Sequence, residues 1–165
     1  GLGLPDREYY FKDDEKSDEI RVKYVEHIAK MFDLAGFEGG AAAADTIMAL
    51  ETRLAAENMT KEKTRDYANN YKKYTQDDLR ALIPGFNWDG YLGELGIGDI
   101  EELVVYTRDY AAALDGIIAD TDLETWKTCL RWSALNQSAS RLTQALDQQN
   151  FEFYEKTLSG VEEQR

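Results

Sequence analysis

Apolar positions recur at helical spacing through most of this chain. Tyr24, Val25, Ile28, Met31, Phe32 and Ala35 fall three or four residues apart, which predicts an amphipathic helix capped by Ser17 and stopped by Gly36. The stretch "GGAAAADTIMALETRLAAEN" repeats the pattern with Ala44, Ile47, Leu50 or Glu51, and Leu54, in residues of high helix propensity. Gly39 and Gly40 make the turn before it. From Met59 to Tyr74 the chain is polar and tyrosine-rich with weak periodicity, so a long surface connection or short helical turns are expected there.

The second half alternates caps and apolar stripes. Thr75 with Asp78 resembles a capping box, and the short helix it starts must end near Pro84. Asn87 caps the next helix, which puts Trp88, Tyr91, Leu92 and Leu95 on one side and ends at Gly96 and Gly98. "LVVY", Leu103 to Tyr106, is the one strand-like run; a lone strand makes no sheet, so it pairs with chain outside this sequence or is buried extended backbone. Thr107 caps a helix through Tyr110, Leu114, Ile117 and Ile118, and Thr121 with Glu124 forms a capping box for the one after. Leu123, Trp126 and Leu130 then form one stripe and Leu135, Ala139, Leu142 and Leu146 a rotated one, predicting a long helix or a kinked pair that ends near Gly160. The expected fold is mainly α, a bundle-like lobe of about six or seven helices with at most one short strand-like segment. A single helical domain over residues 1–165 is expected, without internal repeats.

Composition narrows the function classes. The 165 residues, 43% of them hydrophobic, can bury one core. With 19 Lys and Arg against 32 Asp and Glu the formal charge is -13, which repels phosphate backbones and anionic headgroups, so no nucleic acid and no membrane contact is expected. No apolar run approaches the ~18 residues of a membrane span, and the start lacks the basic and apolar regions of a signal peptide. Any targeting segment is therefore expected to be absent or to lie outside this sequence. Cys129 is the single cysteine, so no internal disulfide forms and the redox compartment is left open.

Candidate chemistry is sparse. A zinc site takes three or four ligands from His, Cys and carboxylates. This chain has one His27 and one Cys129, and it contains no H-E-x-x-H. His27 is expected to be a surface or packing residue, and Cys129, on the stripe of Trp126 and Leu130, a buried structural thiol. No G-x-S-x-G occurs, and "GIGD", Gly96 to Asp99, lacks the lysine of a P-loop and reads as a helix stop. The acids Asp13, Asp14, Glu15, Asp77 and Asp78 read as a solvated face, and no D-x-D-x-D-G series suggests calcium. Two sequons begin at Asn58 and Asn136, the second inside a predicted helix, which argues against its glycosylation. The ten Tyr and three Trp are an excess that would suit a ligand surface, but aromatics at helix spacing more often read as core. No catalytic, cofactor-binding or metal residue is assigned.

A resemblance carries the reading further. "GLGLPDREYY" resembles the G-L-G-L-P-x-R-x-Y-Y signature in the N-terminal half of the neprilysin and endothelin-converting-enzyme family of zinc metallopeptidases. In the order found in that family follow "YVEHIAKMFDLAG", "IMALETRLA", "NNYKKYTQDDLRAL", "PGFNWDGYL", "LVVYTRDYAAAL", "LETWKTCLRW" and "FEFYEKTLSG", so the resemblance spans essentially the whole chain. Two departures stand out: "ANNYKKYT" lacks the proline that many members carry before this stretch, and Cys129 alone resembles bacterial relatives better than the disulfide-rich vertebrate ones.

The resemblance implies a two-lobed secreted or cell-surface endopeptidase, in which a zinc-bearing catalytic lobe faces a helical lobe across an enclosed cavity. This chain looks like a piece of the helical lobe. It implies zinc in the catalytic lobe and no cofactor here, because the family's zinc ligands, catalytic glutamate and substrate-carboxylate arginines match no position of this sequence. The implied partners are the catalytic lobe of the same polypeptide and peptide substrates, and the implied location is extracytoplasmic. The lobe would form part of the cavity wall that admits peptides and excludes folded proteins. Two rivals stay open: a stand-alone acidic helical interaction module, and a peptide or metal binder using Asp13, Asp14 and Glu15. Read as an interior connector, "GLGLPDREYYF" should pack Tyr9, Tyr10 and Phe11 on helices of this chain, with the residues before Pro5 frayed or borrowing contacts.

Overall fold

The structure, a computed structural model, describes residues 1–162 apart from the side chain of Asn69. In chain order its helices and strands are α1 (Glu8–Phe11), α2 (Glu15–Leu34), α3 (Gly40–Glu57), α4 (Lys61–Thr64), α5 (Tyr67–Asn70), β1 (Lys73–Thr75), α6 (Gln76–Leu82), α7 (Trp88–Glu94), β2 (Glu102–Val104), α8 (Arg108–Asp120), α9 (Leu123–Ser138) and α10 (Gln144–Phe151). The fold is mainly α, as expected, and the single-turn helices α1, α4 and α5 supplement the longer ones that the periodicity predicts. Two compact units emerge: Gly1–Ala55 with the chain from Asp122 onward, and Ala56–Thr121.

The first unit is built on α2. Asp14, in extended backbone, accepts the Ser17 N–H at 3.0 Å and so caps the helix. Ser17 is three residues inside, where the sequence pattern had placed it as the cap, and its own hydroxyl donates back to Asp14. The buried face carries Ile20, Tyr24, His27, Ile28, Met31 and Phe32, and Gly36 ends the turn at φ 77°. At Gly40 a Cβ would lie 2.7 Å from the Ala29 carbonyl oxygen, so the absence of a side chain lets the start of α3 approach the α2 backbone. Leu4, Tyr10, Ala44, Ile47, Trp132, Leu135, Ala139, Leu146 and Phe153 complete this core.

The C-terminal segment is the kinked arrangement. A 3-10 turn at Ala139–Arg141 ends α9, and Thr143 then caps α10 by accepting the Leu146 N–H at 3.4 Å. A π-helical stretch, Glu152–Leu158, continues α10, with the Thr157 hydroxyl donating to the Glu152 carbonyl at 2.8 Å. The Leu123, Trp126 and Leu130 stripe is not core: Leu123 and Leu130 are 66% and 67% exposed. Trp132 sets the rotation of α9 instead, and Leu130, two residues away, lies about 200° around the helix from it. Asp122 rather than Thr121 is the cap, accepting the Thr125 N–H at 2.9 Å.

In the second unit the Thr75–Asp78 capping box is complete, the Asp78 N–H donating to the Thr75 hydroxyl at 3.2 Å and the Thr75 N–H to Asp78 at 2.8 Å. Asn87 caps α7 by accepting the Gly90 N–H at 3.0 Å. Thr107 precedes α8 without a side-chain cap. The strand-like run has its partner within the chain: β1 and β2 pair antiparallel, with Lys73 opposite Val104 and Thr75 opposite Glu102. "KYT" shows no apolar alternation, which hid this partner from a pattern search. Leu79, Ile83, Leu92 and Ile117 form the small buried set of this unit.

Candidate functional site

The most unusual chemistry in the first unit is a buried carboxylate. Helical spacing allowed either Leu50 or Glu51 to point inward; α3 buries both, leaving Glu51 5% exposed. Tyr10 donates to its Oε2 at 2.7 Å and Tyr24 to the same oxygen at 2.9 Å. Trp132 Nε1 donates to the Tyr24 hydroxyl at 3.1 Å, and the Leu4 N–H to the Tyr10 hydroxyl at 3.1 Å. Every donor therefore points toward one acceptor group, which suits a carboxylate. Burial pushes the Glu51 carboxyl above its ordinary range, while the two tyrosines and the Gly3 N–H pull it back down. Burial and the Glu51 charge raise both the Tyr10 and the Tyr24 hydroxyls, so they stay protonated as donors.

The opening segment seals this network. A Cβ at Gly3 would lie 1.7 Å from the Tyr24 hydroxyl oxygen, and only glycine fits there. Leu4 is 2% exposed and Leu2 packs partly buried against the core, whereas Gly1 is exposed, so of the residues before Pro5 Leu2 and Leu4 are packed rather than frayed. Tyr10 anchors the segment as expected; Phe11 instead lies 43% exposed, with the Arg7 guanidinium 4.7 Å above its ring. A cavity of about 250 Å³ adjoins the network, lined among others by Leu2, Glu51, Trp126, Cys129 and Asn136. Cys129 is half-buried and its thiol is pushed up to about 11 by burial, then by Glu51, which leaves it unreactive at neutral pH.

His27 is a packing residue. Its ring stacks on Phe153 at 4.8 Å and meets Trp132 and Tyr154 edge-on, and Nδ1 lies 3.2 Å from Gln149 Nε2. Its Nε2 has no partner among the described residues, and burial pulls the imidazole down to about 4. Asp14 is committed to capping α2 and to an ion pair with Lys12 at 2.8 Å. Asn136 donates to the Tyr154 hydroxyl at 2.8 Å and accepts from Asn150, so its amide is engaged inside the fold.

Against known proteins, the model of the N-terminal region of peptidase family M13 matches residues 1–165. The chain belongs to peptidase family M13. It is 30% identical over 166 residues to endothelin-converting enzyme 1 of Bos taurus, covering 94% of this chain and 21% of that protein. Endothelin-converting enzyme-like 1 of Mus musculus is 29% identical over 137 residues, covering 80% and 18%. The zinc metalloprotease Zmp1 of Mycobacterium tuberculosis matches in its open state with TM-score 0.90 and 36% identity, covering 100% of this chain and 26% of that one. The same protein in complex with an inhibitor matches equally, with TM-score 0.90. The chain thus spans about a fifth to a quarter of these relatives. Zinc is the metal named for an M13 relative, yet among the described residues no group of three or more His, Cys, Asp or Glu could hold a metal ion. Among the described residues the donors do not fit a zinc site, and the buried Glu51 carboxylate is taken up by Tyr10 and Tyr24.

Proposed function

We propose that this chain is the non-catalytic helical lobe of a neprilysin-like zinc metalloendopeptidase, and that it walls the cavity in which peptides are cut. The supporting observation is the family match over residues 1–165 in a segment that spans about a quarter of its relatives and offers no zinc donor set among the described residues. The lobe selects by size: a rigid helical wall admits flexible peptides and excludes folded proteins, while movement against the catalytic lobe gates entry. Zinc, the catalytic carboxylate and the substrate-orienting groups belong to the remainder of the polypeptide, in an extracytoplasmic setting like that implied by the resemblance. Exposed Leu123 and Leu130 on α9 favour a lobe that packs against further protein over a stand-alone module.

Two measurements test this reading. The chain incubated with zinc and a short fluorogenic peptide should release no product; cleavage abolished by a chelator would refute the non-catalytic assignment. The complete peptidase should cleave a peptide free in solution and spare the same sequence inside a folded domain. Equal cleavage of both would refute size selection.

A further inference from the structure

Five of the 19 basic residues, Lys61, Lys63, Arg65, Lys72 and Lys73, fall within residues 61–73, against only Glu62 and Asp66, in a chain of net charge -13. The fold of the second unit gathers part of this charge. Pairing of Lys73 with Val104 brings the residues just before β1 beside those just after β2, and a cavity of about 300 Å³ opens there. Lys63 from α4, Lys72 ahead of β1 and Arg108 at the start of α8 all line it.

Two hydrogen bonds hold the walls in place. The Tyr106 hydroxyl donates to the Thr64 carbonyl at 2.5 Å, tying α4 to the chain after β2, and Asn70 Nδ2 donates to the Lys63 carbonyl at 2.7 Å. Among the described residues neither Lys63 nor Lys72 has an acidic partner within ion-pair distance. Arg108 touches Asp109 at 3.3 Å. The first turn of α8 receives no side-chain cap from Thr107 and carries Asp109 as its acid.

We propose that this cavity binds the carboxylate of a short peptide. Three cations against Asp66 and Asp109 leave one net positive charge, which complements a monoanion; a dianionic phosphate would face both wall carboxylates. Met59 and Val105 supply an apolar surface for the alkyl part of such a ligand. The carboxylate can be a C-terminus or an acidic side chain. The site lies in the second unit and does not depend on the peptidase reading.

The test is a titration of the chain followed by amide NMR shifts, with N-acetyl-leucine, N-acetyl-aspartic acid α-amide, N-acetyl-leucinamide and inorganic phosphate as probes. Saturable shifts at Lys63, Lys72, Tyr106 and Arg108 are expected with one or both carboxylates and not with leucinamide. The first probe reports a C-terminal source and the second a side-chain source. Combining Lys63→Gln with Lys72→Gln should weaken binding roughly tenfold or more while circular dichroism stays unchanged, and added salt should weaken the native protein's binding. Arg108→Gln should weaken it independently. Equal shifts from acid and amide, tighter binding of phosphate, or undiminished binding by both variants would overturn the proposal.

Discussion

Gly3 lies directly against the Tyr24 hydroxyl: a Cβ there would stand 1.7 Å from the oxygen, 2.7 Å from Cζ and 3.2 Å from Glu51 Oε1. The Tyr24 ring is fully buried between Trp132 and Phe153, so it has nowhere to retreat. Gly3→Ala should therefore break the Tyr24 contacts to Glu51 and Trp132 and cost about 3 kcal/mol or more in urea unfolding. Gly1, where an added methyl would meet nothing within 4 Å, should tolerate alanine within about 0.5 kcal/mol. Similar losses at both positions would contradict the packing.

Glu51 and its tyrosines act as one unit. Glu51→Leu leaves the Tyr10 and Tyr24 hydroxyls without their acceptor and should cost about 3 kcal/mol, whereas Glu51→Gln, which keeps an acceptor oxygen, should cost about 1 kcal/mol. Because burial raises the folded-state carboxyl above its unfolded value, its contribution is fully present below the unfolded pKa and is lost as pH rises through the folded one. The difference in unfolding free energy between the native protein and Glu51→Gln should therefore fall as pH rises through the folded-state value, and a difference independent of pH would contradict this.

His27 has the opposite sign. Its folded-state imidazole is held near 4 by burial, so the neutral form is favoured and its contribution is complete above the ordinary value of 6.5. This contribution should be lost as pH drops from 6.5 toward 4, by a total of about 3 kcal/mol. Lys23, Glu26, Lys30 and Glu152 line the pocket beside the ring, two of each sign, and burial is the cause of its lowered value. His27→Phe keeps the stack on Phe153 and removes this titration, so the native-minus-variant difference in stability should fall as the pH drops across that window. An unchanged slope in the variant would assign the acid sensitivity elsewhere.

Spacing and caps made most helices readable because each carries its own local signal: Gly36 stops α2, Thr75 with Asp78 opens α6 and Asn87 opens α7. Two features depended on distant partners and were not readable. β1 is a polar tripeptide whose role as a strand comes from β2, and the outward turn of Leu123 and Leu130 follows from Trp132 reaching Tyr24 across 108 residues of sequence. Glu51 was hidden for a related reason. A carboxylate at an inward helical position looks like an imperfection of the apolar stripe until Tyr10, Tyr24 and the Gly3 backbone are known to converge on it.

The capping box of α6 also fixes the sheet, since Thr75 is both the last residue of β1 and the cap of the helix. Thr75→Ala removes the acceptor for the Asp78 N–H and one donor to its carboxylate, a loss of about 1–2 kcal/mol. The β1–β2 register should loosen with it, because Lys73 is held opposite Val104 by a three-residue strand and by one ion pair to Glu102 at 2.7 Å. Hydrogen exchange should accordingly quicken at residues 73–82 and 102–104 and remain at native rates in α2 and α10. Protection lost throughout the chain would mean that the two compact units unfold together.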